Sequence, residues 1–298
     1  MPELPEVEII KRGLDRLIVG RKIATIEPLV QRSFPGFSAE VESIIVGSAI
    51  CSVARRGKLL LVGLDSEHSL LIHLRMTGQL VYRQADYNGQ MSSSNDSFGG
   101  GHPNASLIKD LPDKTTRVIF SFTDDSRLYF NDQRKFGYIK LVRNSDLDDD
   151  SFIRKLGPEP LAGDFTWHVL KERLPKKSTR AIKAALLDQC VVAGIGNIYA
   201  DESLFAAGIH PTRPVVSLSD DEIERLHGAI CCCLRQSIAD GGSTARNYVD
   251  SQGMRGEYLE LHAQVFNRSG QVCARCGHPI DKIRVAGRGT HVCSKCQK

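Results

Sequence analysis

Four of the nine cysteines stand in two close pairs near the end of the chain, Cys273-x2-Cys276 and Cys293-x2-Cys296, with sixteen residues between the pairs. A tetrahedral zinc ion takes thiolates at this spacing, because each C-x2-C turn presents two sulfurs and two such turns close a four-cysteine site. With every ligand supplied by protein, no position is open to a substrate, so the chemistry expected here is structural. So short a segment has no core of its own and folds on the metal. Between the pairs lie Lys282, Arg284 and Arg288, the last within Gly287-Arg288-Gly289-Thr290, a turn able to push a guanidinium outward toward a groove or a phosphate. Arg268 to Lys298 holds seven Lys and Arg against one acid, Asp281, in a chain whose net charge is only +4. The positive excess collects where a polyanion would meet it.

Several elements must carry these groups. Val7, Ile10, Leu14 and Leu17 recur at helical spacing, which predicts an amphipathic helix from the start of the chain to about Gly20, with Pro5 in its first turn. Glu3 and Glu6 sit one turn apart, where acids complement the helix dipole. From Ile23 to Val142 the pattern turns to short β-rich runs: Ile44-Ile45-Val46, Leu59 to Val62, Ser69 to Ile72, Arg117 to Phe122 and Arg127 to Phe130. Each is bounded by Gly, Asp or Ser, which predicts a sandwich or barrel of antiparallel strands. Asp86 to Asn104, with Ser92-Ser93-Ser94 and Gly99-Gly100-Gly101, shows no periodicity and reads as a flexible surface insertion near 86–104. The acidic turn-forming run 144–151 reads as a linker.

Beyond it the pattern is helical over Phe165–Leu174, Ser178–Leu187, Tyr199–Ala207 and Asp220–Ser237, the last opened by Ser219 and Glu222 as a capping box. Cys231-Cys232-Cys233 falls inside that helix and reads as packing. The reading is an α+β multidomain chain: residues 1–143 a β-sandwich with its helix, 152–262 a helical domain, and 263–298 a zinc finger. At 298 residues, 41% apolar and 25% charged, the chain is neither disordered, collagen-like nor a coiled coil. It has no apolar run of roughly 20 residues and no signal peptide pattern, so a cytoplasmic protein without membrane contact is expected.

Six motifs, in order, carry a resemblance: Met1-Pro2-Glu3-Leu4-Pro5-Glu6-Val7-Glu8, His73-Leu74-Arg75-Met76-Thr77-Gly78, Asp132-Gln133-Arg134-Lys135-Phe136-Gly137, Leu156-Gly157-Pro158-Glu159-Pro160-Leu161, Gly194-Ile195-Gly196-Asn197-Ile198-Tyr199-Ala200 and the cysteine module. Together the chain resembles the formamidopyrimidine-DNA glycosylase family from end to end, the 86–104 stretch apart. The resemblance implies a helix–two-turns–helix element in the helical domain and one structural zinc ion. It also implies a bifunctional repair enzyme acting on double-stranded DNA. Such an enzyme excises oxidised purines, 8-oxoguanine and formamidopyrimidines, and cleaves the strand at abasic sites by β- and δ-elimination. A monomer is expected, since one active site and one DNA footprint need no partner subunit.

The resemblance also assigns residues. Pro2, once Met1 is removed, exposes a secondary α-amine, a class with a pKa of about 7.7–8.0, so a usable fraction is the neutral nucleophile near neutral pH. Attack at the sugar C1′ gives a Schiff base that is an electron sink without further protonation. Glu3 is the general acid and base with Glu6 in support. Lys58 assists near the lesion phosphate, and Arg288 joins the catalytic set. Met76, Arg134 and Phe136 fill the hole left by the everted nucleotide. His73 and Asn197 contact phosphate. Tyr248 belongs to the 242–257 loop that closes over the everted base. Two alternatives stay open: an endonuclease VIII-like glycosylase for oxidised pyrimidines, against which Leu4, Val7 and Arg134-Lys135-Phe136 speak, and a non-catalytic zinc-dependent DNA-damage-binding protein, expected to have lost Pro2, Glu3 or Lys58.

Overall fold

A computed structural model describes residues 1–84, 97–101, 110–175, 179–243 and 256–298. Tyr248, most of the 242–257 loop and most of the 86–104 stretch lie outside the described residues. The chain clusters into two units, Met1–Ile153 with Gly241–Gly256, and Arg154–Asp240 with Glu257–Lys298.

The first unit begins with α1 (Leu4–Ile18), followed by β1 (Ile23–Pro28), α2 (Ala39–Ile45), β2 (Ile50–Arg56), β3 (Leu59–Leu64), β4 (His68–His73), β5 (Gly78–Arg83), β6 (Ser97–Gly101), β7 (Thr116–Phe122), β8 (Arg127–Asp132) and β9 (Tyr138–Arg143). All strand pairs are antiparallel, in a five-stranded sheet ordered β1-β7-β8-β5-β6 and a four-stranded sheet ordered β2-β3-β4-β9. Side chains two apart along a strand face the same way. Leu60, Val62 and Leu64 of β3, Leu80 and Tyr82 of β5, and Val118, Phe120 and Phe122 of β7 therefore share one core with Val7, Ile10, Leu14 and Ile18 of α1. The opposite face of the larger sheet buries Val81, Ile119 and Tyr129 against Leu111.

Two sequence expectations fail in this unit. Ile44-Ile45-Val46 is not a strand but the end of α2. Ser38 caps that helix, its hydroxyl accepting from the Val41 N–H at 3.3 Å, and a three-residue apolar run cannot outweigh a cap followed by Glu40 and Glu42. Gly99-Gly100-Gly101 is not a loop but edge strand β6, paired with β5. A Cβ on Gly100 would lie 2.7 Å from Ile10 Cγ1, so glycine there lets the sheet edge approach α1.

The second unit holds α3 (Trp167–Arg173), α4 (Ile182–Leu186), α5 (Asn197–Ala207), α6 (Asp220–Ala239), α7 (Tyr258–Leu261) and a hairpin of β10 (Asp281–Val285) and β11 (Arg288–Val292). The capping box expected at Ser219 is present: its hydroxyl accepts from the Glu222 N–H at 3.3 Å, and Glu222 Oε2 accepts from the Ser219 N–H at 2.9 Å. Leu186, Ile195, Leu204, Leu226, Ile230 and Leu234 pack between α4, α5 and α6, and Cys231 packs with them. Phe205, Val265 and Ile280 pack directly on Cys273 and Cys293. No described helix is long and apolar enough to cross a membrane.

Candidate active site and nucleic-acid interface

The amino terminus of the first unit is built from α1 outward. Pro2 is buried and Glu3 is the N-cap, with a capping-box partner in Glu6. The Glu3 N–H donates to Glu6 Oε2 at 2.8 Å, while Glu6 Oε1 accepts from the Ser243 N–H at 2.9 Å and its hydroxyl at 2.8 Å. Both Glu6 oxygens are thereby committed to positioning. Lys58 follows Gly57 in the two-residue turn between β2 and β3, where Arg56 faces Leu59. Arg55 locks that turn, donating to the Gly57 carbonyl at 3.0 Å and to Glu8 Oε2 of α1 at 3.1 Å. The helix that carries Glu3 and the turn that carries Lys58 are thus fastened together.

A lysine entering a strand is ordinarily a solvated edge charge, yet Lys58 is only 6% exposed, and Glu3 and Glu6 are buried beside the chain terminus. With Met1 in place, burial holds the terminal ammonium below its ordinary range and Lys58 pushes in the same direction, against the pull of Glu3 and Glu6. Amine, two carboxylates and ammonium therefore share one field. An amine so placed gives up its proton more readily than one in water, which is what a nucleophile needs.

Two loops of the same unit bring Met76, Arg134 and Phe136 together. Met76 and Phe136 are 42% and 44% exposed, among the few large apolar side chains so displayed. Arg134 Nη1 lies 2.9 Å from Met76 Sδ and its guanidinium 5.0 Å from the centre of the Phe136 ring, and the Arg32 guanidinium stands 5.8 Å from that ring. His73, at the end of β4, is buried, and that burial drives its pKa down to about 3, with Arg75 and Lys58 adding to the effect. Its Nδ1 accepts the Arg75 N–H at 3.1 Å, so the ring proton resides on Nε2 and His73 is a neutral donor.

In the second unit the side chain of Asn197, the first residue of α5, donates to the Gly289 carbonyl at 3.0 Å. The backbone N–H groups at this helix start remain the natural phosphate donors. Gly289 also accepts from Lys183 Nζ at 3.1 Å, and the same ammonium reaches Thr290 Oγ1 at 2.7 Å and Asp201 Oδ1 at 2.6 Å. Lys183 and Asp201 are fully buried, and Asp201 Oδ2 accepts the His291 N–H at 2.9 Å. Glu202 accepts the N–H groups of Gln264, Val265 and Phe266 at 2.8, 3.0 and 2.7 Å. Asn197, Lys183 and Asp201 thereby fix the β10–β11 hairpin, at whose turn Arg288 stands exposed opposite Val285, while Glu202 holds the segment ahead of it.

The four cysteines fit a zinc ion. Their Sγ atoms lie within 4.8 Å of one another, with Cys276 to Cys293 at 3.5 Å and Cys273 to Cys296 at 3.9 Å. Four sulfurs placed tetrahedrally around zinc at the usual bond length of about 2.3 Å stand about 3.8 Å apart. No cysteine of the chain is in a disulfide, and the cluster is the seat of one structural zinc.

Sequence reasoning overlooked the residues that hold these groups. Lys183, Asp201 and Glu202 left no periodic signal, since each interrupts an apolar pattern it serves from within. Asp132, Thr77 and Ser243 position other residues, and only the Asp at the head of a loop ending in Gly137 was a legible turn former.

Comparison with known proteins agrees with the geometry. Residues 1–139 match the formamidopyrimidine-DNA glycosylase N-terminal domain, 156–249 the H2TH domain of the same enzymes, and 270–298 a zinc finger found in FPG and IleRS. Formamidopyrimidine-DNA glycosylase of Geobacillus kaustophilus is 42% identical over the whole of both chains, and that of Bacillus subtilis is 40% identical over 100% of this chain and 99% of its own. Among solved structures, a Lactococcus lactis FPG mutant in complex with DNA containing Fapy-dG superposes with a TM-score of 0.85 at 36% identity, covering 100% of each chain. The L. lactis Fpg complex with DNA containing an abasic site superposes at 0.84 and 36% identity, covering 99% of each. The chain belongs to the formamidopyrimidine-DNA glycosylase family.

Proposed function

We propose that this chain excises oxidised purines from double-stranded DNA and cleaves the strand at the resulting abasic site, with the amine of residue 2 as its nucleophile. The observation that carries the reading is that Pro2 is buried and that the terminal amine shares one field with the buried Glu3, Glu6 and Lys58. Relatives of this length and identity that bear the glycosylase name, and neighbours solved on Fapy-dG and abasic DNA, support the substrate class.

Removal of Met1 leaves the secondary amine of Pro2 at this site. Its lone pair attacks C1′ and the glycosidic bond breaks; the base departs with the bonding pair and takes up the proton that the amine nitrogen sheds on bonding C1′. Opening of the sugar ring, with Glu3 delivering a proton to the ribose oxygen, leaves an iminium between Pro2 and C1′. The iminium withdraws electrons, the C2′ proton passes to the Glu3 carboxylate, and the 3′ phosphate leaves with the C3′–O bonding pair in β-elimination; δ-elimination then releases the 5′ phosphate. Lys58 offsets phosphate charge near the lesion, and His73 offers its Nε2–H to a phosphate without adding charge. Met76, Arg134 and Phe136 fill the vacated stack, Asn197 and the start of α5 grip a phosphate, and Arg288 enters the interface from the zinc hairpin. The zinc stiffens that hairpin and takes no part in bond breaking. The reading includes Tyr248 on the loop over the everted base, a cytoplasmic location and a monomer.

A substrate panel tests it. Duplexes bearing 8-oxoguanine or a formamidopyrimidine should be cut at the lesion while a thymine glycol duplex is cut far more slowly. Preference for thymine glycol would place the chain with the pyrimidine enzymes, and binding without cutting would make it a damage-binding protein.

A further inference from the structure

Asp132 is the last residue of β8 and is 1% exposed. Its Oδ1 accepts from the Thr77 hydroxyl and from the Arg134 N–H at 3.1 Å; its Oδ2 accepts from the Phe136 N–H at 2.8 Å and the Gly137 N–H at 2.7 Å. Thr77 Oγ1 accepts in turn from the Arg134 N–H at 3.0 Å. The Asp132 backbone is equally committed, its carbonyl to Arg117 Nε at 2.8 Å and its N–H to the Thr115 carbonyl at 2.8 Å. One buried carboxylate thus ties both loops that display Met76, Arg134 and Phe136.

Those loops are strained. Arg75 and Lys135 lie in the left-handed region, at φ 53° and 58°, and each directly precedes one of the exposed apolar residues. A side chain disfavours that region, so the conformation lasts only where the surroundings over-determine it. Gly137 shows how close the fit is: a Cβ there would stand 2.7 Å from Phe130 Cζ and 3.1 Å from Asp132 Oδ2.

We propose that Asp132 is a positioning residue for base eversion: by holding the two loops at one separation it keeps Met76, Arg134 and Phe136 set as a rigid wedge before DNA arrives. The inference rests on the reading of the chain as an enzyme that everts oxidised purines. Asp132 touches no reacting atom, so its influence falls on the step that opens the base pair and not on the elimination chemistry. A duplex with a preformed abasic site has no base to unpair and unstack, and makes little demand on the wedge.

Asp132→Asn is nearly isosteric but has a single acceptor oxygen, so its amide NH2 must face two N–H donors or the Thr77 hydroxyl and Arg134. The full chain with zinc is assayed on a duplex carrying 8-oxoguanine and on one carrying an abasic site, with 2-aminopurine beside the lesion reporting unstacking. Displacement of a positioned group by about 1 Å costs up to about 100-fold, so Asp132→Asn should slow both 8-oxoguanine excision and the fluorescence rise by about 10- to 100-fold while strand cleavage at the abasic site changes less than about threefold. Thr77→Val should show the same selectivity to a lesser degree, and Thr77→Ser should restore both. If Asp132→Asn does not fold, Thr77→Val alone carries the test. Equal losses on the two duplexes, or none on either, overturn the proposal while wild type continues to excise 8-oxoguanine. Failure of wild type itself overturns the functional reading and, with it, the inference.

Discussion

Replacing Asp201 by Ala isolates what the buried pair in the second unit does. Lys183 and Asp201 are both fully buried with their charged atoms 2.6 Å apart, so neither can turn to water when the other is lost. In Asp201→Ala the Lys183 ammonium loses the carboxylate that pairs its charge, its bonds to the Gly289 carbonyl and the Thr290 hydroxyl remaining, and the His291 N–H loses its acceptor. An uncompensated buried charge costs about 3–5 kcal/mol, and an orphaned N–H accounts for about 1–3 kcal/mol of that. Domains are stable by about 5–15 kcal/mol in all, so the variant should unfold at markedly lower urea. Lys183→Met strands the carboxylate instead and should cost a similar amount. The double variant Lys183→Met/Asp201→Ala removes both charges and should be no worse than either single one by more than about 1–2 kcal/mol, a coupling that a double-mutant cycle reads directly. Urea denaturation at saturating zinc measures all three, because free zinc would otherwise shift the folded population. A single variant costing less than about 1 kcal/mol, or costs that simply add, would refute the argument that this pair is desolvated and interdependent.

Other outcomes follow from the same physics. His73 is held neutral down to about pH 3, whereas in the unfolded chain its pKa is 6.5. Below pH 6.5 the unfolded chain takes up a proton that the folded one refuses, so this stability is whole above 6.5 and is lost towards pH 3, roughly 2–3 kcal/mol of it by pH 4.5. His73→Gln should flatten the acid limb of the stability profile by that amount, and an unchanged limb would contradict the placement of the ring. Cys293→Ser, or a strong chelator, should release zinc and unfold the hairpin, since metal binding supplies about 10–16 kcal/mol in such modules; retained zinc by atomic absorption with intact duplex binding would oppose this. Gly100→Val drives a side chain onto Ile10 and should lower stability by about 1–3 kcal/mol through overpacking, with no change expected if β6 is not packed on α1.

The zinc cysteines, α1 and α6 were readable because their signals are local: a fixed ligand spacing, an unbroken apolar stripe and a capping box each declare themselves within a few residues. The β6 edge was not, since three glycines look like a loop until Ile10, some ninety positions earlier, is seen to crowd Gly100, and Gly78 and Gln79 to crowd Gly101. Ile44-Ile45-Val46 misled for the opposite reason, a β-like composition overruled by the cap at Ser38. Pro2, Glu3 and Lys58 stood out by type and motif, but spacing alone could not say that Lys58 is buried or that Glu6 spends both oxygens on Glu3 and Ser243. Asp132 was legible as a turn former that bonds the N–H groups of Arg134, Phe136 and Gly137 close by, but its tie to Thr77 on the other loop was not, and Lys183 and Asp201 are read only from contacts with the distant hairpin, where no short-range pattern exists.

The central claim is that the amine of residue 2 attacks the sugar, and borohydride trapping tests it most directly. The protein with Met1 removed, incubated with a duplex containing 8-oxoguanine and reduced with borohydride, should yield a covalent adduct that maps by mass spectrometry to Pro2 and disappears when residues are added ahead of it. An adduct at a lysine, or trapping left intact by an N-terminal extension, would contradict the account.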